Sequence, residues 1–157
     1  MPALTGRLTY LGYRAGSAVA QRLPYAVGAA LARAGGSIAR RTMRGRREMT
    51  ARHQRRAGAA DVDAAVRAVF DSYARYWFEL LRLPADIRRD DVERHFDIKG
   101  FEYLEAALDR GRGAVVALPH LGGWEHAAAW IGGSGHEILA VVEPIEPPEM
   151  FRWFARQ

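Results

Sequence analysis

With 157 residues the chain has room for one domain with a core of its own, and its 49% hydrophobic content excludes disorder as the default state. It has no cysteine, which excludes disulfides, thiolate metal sites and cysteine nucleophiles together. The net charge of +5 is unevenly placed: residues 1–60 carry twelve arginines and one acid, Glu48, whereas residues 61–157 carry eleven bases and seventeen acids.

A basic arm of this kind suits nucleic acid, an anionic lipid surface or an acidic soluble partner. Met1-Pro2-Ala3-Leu4-Thr5-Gly6-Arg7 lacks the basic-then-apolar order and cleavage site of a secretory signal. The longest candidate span, Leu23 to Ala39, is interrupted by Pro24, Arg33, Gly28, Gly35 and Gly36. The arm is therefore expected to lie on a surface rather than to cross a membrane.

In chain order, Leu4, Leu8, Leu11, Ala15 and Val19 recur at helical spacing and predict a first helix with one apolar face. Pro24 suits the first turn of a second, whose stripe is Val27, Leu31, Ala34 and Ile38. A cationic stretch, Arg40-Arg41-Thr42-Met43-Arg44-Gly45-Arg46-Arg47, leads into Arg52, Arg55 and Arg56. Asp61 is a natural N-cap for the next helix, whose stripe of Val62, Val66, Val69, Tyr73, Trp77 and Leu80, thickened by Phe70 and Leu81, is expected to stop at Pro84. Its aromatics, Phe70, Tyr73, Tyr76, Trp77 and Phe78, read as core packing.

From residue 95 the period changes. Phe96-Asp97-Ile98 reads as a short strand and Gly100 as a turn, with a helix over Phe101 to Arg110. Gly111 and Gly113 bracket a turn into the apolar run Ala114 to Leu118, a pattern that suits a buried parallel strand. A helix follows over Trp124 to Ile131, then a strand over Ile138 to Val142, and Pro147-Pro148 opens a helix expected to continue to Gln157. The expected fold class is therefore α/β: N-terminal helices followed by a β-α-β-α-β sheet, incomplete at the C-terminus. The expected organisation is a basic amphipathic, membrane-associating helical region over residues 1–60 and the N-terminal part of an α/β catalytic domain over residues 61–157 of a longer protein.

The segment Leu118-Pro119-His120-Leu121-Gly122-Gly123-Trp124-Glu125-His126 lies at the expected strand-to-helix passage, where ligands collect in open α/β sheets. An imidazole titrates near neutrality, so His120 is a candidate base, and a nearby carboxylate would fix its tautomer. On a continuous helix, His120 and Glu125 would be about 140° apart. A turn at Gly122-Gly123 could bring them together, because glycine accepts positive φ and lets backbone approach a substrate closely. Glu125 has a second reading, as an acid favoured by the dipole of a helix N-terminus. His126 is expected to point away from Glu125, and His53, His95 and His136 read as surface or satisfied residues. No His/Asp cluster has metal-ligand spacing, so no metal is expected, and no Gly-x-Ser-x-Gly or phosphate-loop pattern occurs.

The stretch Gly111 to Glu125 resembles the core block of the bacterial lipid A biosynthesis (lauroyl-type) acyltransferases, a family marked by His-x-Gly-Asn-Trp-(Asp/Glu). Upstream, Ser72-Tyr73-Ala74-Arg75-Tyr76-Trp77-Phe78-Glu79-Leu80-Leu81-Arg82-Leu83-Pro84 is similar to the helix that precedes that block. Within the family the likeness is to the phosphatidylinositol mannoside acyltransferases of high-GC Gram-positive bacteria. The resemblance implies a glycerolipid-acyltransferase-like fold and places His120 as catalytic histidine and Glu125 as motif acid. Gly122 and Trp124 match the motif's glycine and tryptophan as substrate-binding residues, while Gly123 stands where the family has asparagine.

The implied activity moves a fatty acyl group from acyl-CoA or acyl carrier protein to a sugar hydroxyl of a membrane glycolipid. Acyl-CoA would be a co-substrate, no cofactor is required, and the expected location is the cytoplasmic face of the plasma membrane, held peripherally. His120 would take the hydroxyl proton during direct attack on the thioester, without a covalent enzyme intermediate. The competing readings are a non-catalytic basic module that binds membrane or nucleic acid, and an inactive truncated product. Against nucleic acid, aromatics are not interleaved with the bases of Arg40–Arg56 and no nucleic-acid motif occurs.

Overall fold

The computed structural model describes residues 2–88, 97–119, 121–143 and 145–155, with side chains from Gly6 onward. Among these residues the chain forms seven helices: α1 (Pro2–Ala20), α2 (Tyr25–Thr42), α3 (Arg44–Arg56), α4 (Val62–Arg88), α5 (Phe101–Leu108), α6 (Trp124–Gly133) and α7 (Pro148–Phe154). They divide into two compact units, one of Met1–Ala85 with Ala140–Gln157 and one of Asp86–Leu139.

The first unit is organised by α4. Asp61 caps it as its residue type requires, Oδ1 accepting the Ala64 N–H at 2.9 Å. One face of the helix, Phe70, Ala74 and Phe78, meets α2 at two glycines eight residues apart. A Cβ on Gly28 would lie 2.1 Å from the Phe78 ring, and one on Gly36 would lie 2.9 Å from the Phe70 carbonyl oxygen. Tyr25 completes this seam, its ring 5.8 Å from Phe78 and its hydroxyl donating to Glu79 Oε1 at 2.7 Å. The adjacent face of α4 meets α1, where the Tyr13 and Trp77 rings are 5.6 Å apart. Burial, with the nearby Tyr73 adding to it, raises the Tyr13 phenol above its ordinary pKa.

Two polar links fix the end of α1 to α4. Ser17, only 1% exposed, donates its hydroxyl to the Leu81 carbonyl at 2.8 Å and accepts from Gln21 Nε2 at 2.7 Å. Arg82, 6% exposed, reaches from α4 to the Ala20 carbonyl at 3.4 Å and the Leu23 carbonyl at 2.5 Å. Ala20 is the last residue of α1, where a helix leaves carbonyls without intrahelical donors, and Leu23 lies in the turn toward α2. Pro84 does not stop α4, as the sequence led one to expect; the helix continues to Arg88 with the proline inside it. The lost backbone bond is offset by burial around it, since Leu83, Ala85 and Asp86 are all buried.

This packing places Ser17 and Ala20 of α1 and Gly28 and Gly36 of α2 inward. Their predicted apolar stripes face out: Leu8, Leu11 and Val19 on α1, and Val27, Leu31 and Ile38 on α2, are all exposed. The α7 helix begins with Pro148 at its first position, and its Met150 is buried. It ends at Phe154 rather than continuing to Gln157, and Phe154 packs edge-on against Tyr13 at 6.0 Å.

In the second unit, Gly100 (φ 81°) precedes α5, and Gly111 and Gly113 (φ 70° each) form the turn that follows it. Phe101 packs against Trp130 of α6 at 4.8 Å and against the His136 ring at 5.8 Å.

The expected β-α-β-α-β sheet does not form: no strand is present among the described residues. Asp97 and Ile98 have no regular structure, and Phe96 lies outside the described residues. The runs 114–118 and 138–142 are unladdered and exposed, with Val115 at 101% and Val141 at 102% of full exposure. An apolar run sets only the preference for extended backbone; a strand also needs a neighbouring chain to pair its N–H and C=O groups.

The glycine seam can be tested within one helix. Gly35, beside Gly36, has open space where a Cβ would go. Gly35→Ala is expected to stabilise the protein by about 0.5–1 kcal/mol through helix propensity. Gly28→Ala and Gly36→Ala are expected to destabilise it by about 1–3 kcal/mol, because overpacking exceeds that gain. Urea unfolding of the three variants measures both signs.

Candidate active site

Between the extended run and α6 the chain turns sharply. The Leu121 N–H donates to the Pro119 carbonyl at 2.7 Å, and Gly122 adopts φ 65°. That conformation puts the Cβ of an L-residue against its own backbone, so glycine belongs there. Gly123 follows as the N-cap of α6 with φ −90° and ψ 67°, Trp124 is the first helical residue, and no side chain caps the helix.

Glu125 therefore sits in the first turn of α6, where the helix dipole favours a carboxylate. It is half-buried, and its Oε2 is shielded from solvent. The other catalytic candidate, His120, lies outside the described residues.

His126, which the sequence reading set aside, is buried at 6% exposure, and its N–H donates to the Gly123 carbonyl at 3.0 Å. A Cβ on Gly123 would stand 3.1 Å from His126 Nδ1. The backbone at Gly123 has negative φ, so what excludes a side chain there is the imidazole rather than strain. A side chain at this position therefore has to be accommodated by the His126 ring. The signal was in the sequence as the pair Gly123 and His126, at N-cap and third-residue positions of a helix.

A half-buried carboxylate, a buried imidazole and a glycine turn before a helix N-terminus form a setting suited to proton transfer and to close backbone approach. The model of the bacterial lipid A biosynthesis acyltransferases matches residues 3–157. The chain belongs to this family. Among curated relatives, it is 37% identical over 155 residues to a phosphatidylinositol mannoside acyltransferase of Mycolicibacterium smegmatis, a match covering 96% of this chain and 50% of that protein. It is 39% identical over 98 residues to the protein of the same name in Mycobacterium tuberculosis, covering 61% of this chain and 31% of that one. The chain thus spans about half the length of the curated relatives it matches. No solved structure matches it.

Within the family block, the two glycines are expected to respond differently to substitution. Gly122→Ala should cost about 1 kcal/mol from backbone strain alone, since no atom lies within 4 Å of its added Cβ, and Gly122→Asn should cost less. Gly123→Asn should destabilise the wild type but cost little in a His126→Ala background. A double-mutant cycle by urea unfolding should give a coupling of about 0.5 kcal/mol or more.

Proposed function

We propose that the full-length protein transfers a fatty acyl group from acyl-CoA, or from acyl carrier protein, to a sugar hydroxyl of a membrane glycolipid, a phosphatidylinositol mannoside. The observation that carries this reading is the His120–Glu125 block, ending in a glycine turn and the first turn of α6, in a chain 37% identical to a relative of that name.

His120 acts as general base. It takes the proton from the acceptor hydroxyl as the oxygen attacks the thioester carbonyl, so that the new C–O bond forms before the C–S bond breaks. Backbone N–H groups near Gly122 and Gly123 stabilise the oxyanion between these steps. The imidazolium then returns the proton to the departing thiolate. Glu125 orients His120 and stabilises its charged form, and Trp124 lines the substrate side of the turn. No covalent enzyme intermediate is involved.

Delivery to a lipid acceptor requires the protein at the membrane surface. No described helix is long and apolar enough to cross a membrane. The exposed stripes of α1 and α2, with Arg7, Arg14 and Arg33 on the same two helices and Arg22 in the turn between them, support peripheral binding instead: leucines enter the acyl boundary and guanidiniums meet anionic headgroups. The cytoplasmic leaflet supplies both the acyl donor's side and the negative surface.

The test is acyl-CoA turnover with a mannosylated phosphoinositide by full-length protein. His120→Ala is expected to lower the rate by roughly a hundredfold or more, the scale of losing a general base, with Glu125→Gln losing less. Near-normal turnover by folded His120→Ala protein would end the proposal.

A further inference from the structure

The basic arm gathers arginines that the acyl-transfer chemistry does not use. The helix α3 is polar all round, with six arginines, Arg44, Arg46, Arg47, Arg52, Arg55 and Arg56, and a single acid, Glu48. Its residues 47, 48, 51, 52 and 55 share one face by helical spacing, with the small Ala51 at the centre. That face borders an open cavity of about 590 Å³, lined also by Arg40 from the last turn of α2 and by Asp63, Val66 and Arg67 from the first turns of α4.

Five arginines therefore line one cavity: Arg40, Arg47, Arg52, Arg55 and Arg67. None of the five makes a hydrogen bond or ion pair among the described residues, although Glu48 and Asp63 stand in the same wall. Arginine stays charged at any physiological pH, so gathering these groups around one space raises a field that a multivalent anion would neutralise. The guanidinium fork matches phosphate oxygens two at a time, and a phosphate group presents three of them with up to two charges. Val66 is buried beneath the cavity at 3% exposure, which gives it a packed floor.

We propose that this cavity binds a phosphate-bearing anion through Arg40, Arg47, Arg52, Arg55 and Arg67. The phosphate can come from a lipid headgroup or from a soluble phosphate ester, and the site is the same in either case. It stands independently of the acyltransferase reading, because it lies in the helical unit and draws no residue from the Pro119–His126 segment.

The experiment uses full-length protein and inorganic pyrophosphate as probe, measured by titration calorimetry in physiological salt. One variant carries Arg47→Gln with Arg52→Gln; a control carries Arg110→Gln with Arg112→Gln, an equal change of charge at exposed positions outside the cavity. Circular dichroism confirms folding, which the cavity arginines should not affect since they hold no described bonds. Saturable binding of one pyrophosphate is expected, at least tenfold weaker in the cavity variant and within twofold of wild type in the control. Flotation with phosphatidylinositol-containing and phosphatidylcholine vesicles identifies the source. Loss of phosphatidylinositol-dependent flotation in the cavity variant, with competition by pyrophosphate, assigns a headgroup. Unchanged flotation with lost pyrophosphate binding assigns a soluble ester. Absence of saturable pyrophosphate binding, or equal weakening in both variants, overturns the site.

Discussion

The Arg82 guanidinium is the constraint on which the helical unit depends. It is buried, and its hydrogen bonds run to the carbonyls of Ala20 and Leu23, where α1 ends and the chain turns toward α2. A buried cation is tolerated only when its donors are occupied, and buried carbonyls left without donors cost about 1–3 kcal/mol each. One side chain on α4 thus satisfies the exit of α1 and fixes where Pro24 can start α2. The Ser17 hydroxyl on the Leu81 carbonyl, one residue away along α4, sets the rotation of α1 about its own axis. With that rotation and the Gly28 and Gly36 contacts both in place, α1 and α2 turn Ser17, Gly28 and Gly36 toward α4.

The consequence is an arrangement opposite to the usual soluble amphipathic helix. Leu8 is 61% exposed and Leu31 59%, while the buried residues of these two helices are Ser17, Ala20, Gly28 and Gly36. Close approach of helices through small residues maximises dispersion contact, and it frees the larger apolar side chains for another environment. Together with arginines on the same helices, these stripes have the composition of an interfacial surface. The proposed chemistry and the fold meet here, because an acceptor that resides in a bilayer must be reached from its surface.

Much of this was legible from single residues. Asp61 announced the start of α4, Gly111 and Gly113 a turn, and Pro148 the start of α7, because each of these types has a local backbone or capping preference that neighbours rarely override. The family motif was legible for the same reason, as residue types at fixed spacing. What failed depended on partners. The runs at 114–118 and 138–142 looked like strands, yet ladder pairing is a property of two segments and no local pattern reports it. Pro84 looked like a stop, but the buried Leu83, Ala85 and Asp86 hold the helix through it. The α3 helix escaped notice because periodicity is read from apolar residues and it offers few. The stripes of α1 and α2 were legible as faces, and the structure leaves them exposed; periodicity finds a face without saying what it meets.

The central claim, that these stripes face out while the small residues face in, is tested most directly by substituting Leu8, Leu11, Leu31 and Ile38 singly with serine in the full-length protein. Unfolding free energy and flotation on anionic vesicles would be measured side by side. The account predicts changes in stability within about 0.5–1 kcal/mol, as for exposed helical positions, together with a clear loss of vesicle binding. Losses of about 2–5 kcal/mol per substitution, the range for emptying a packed core, would contradict it.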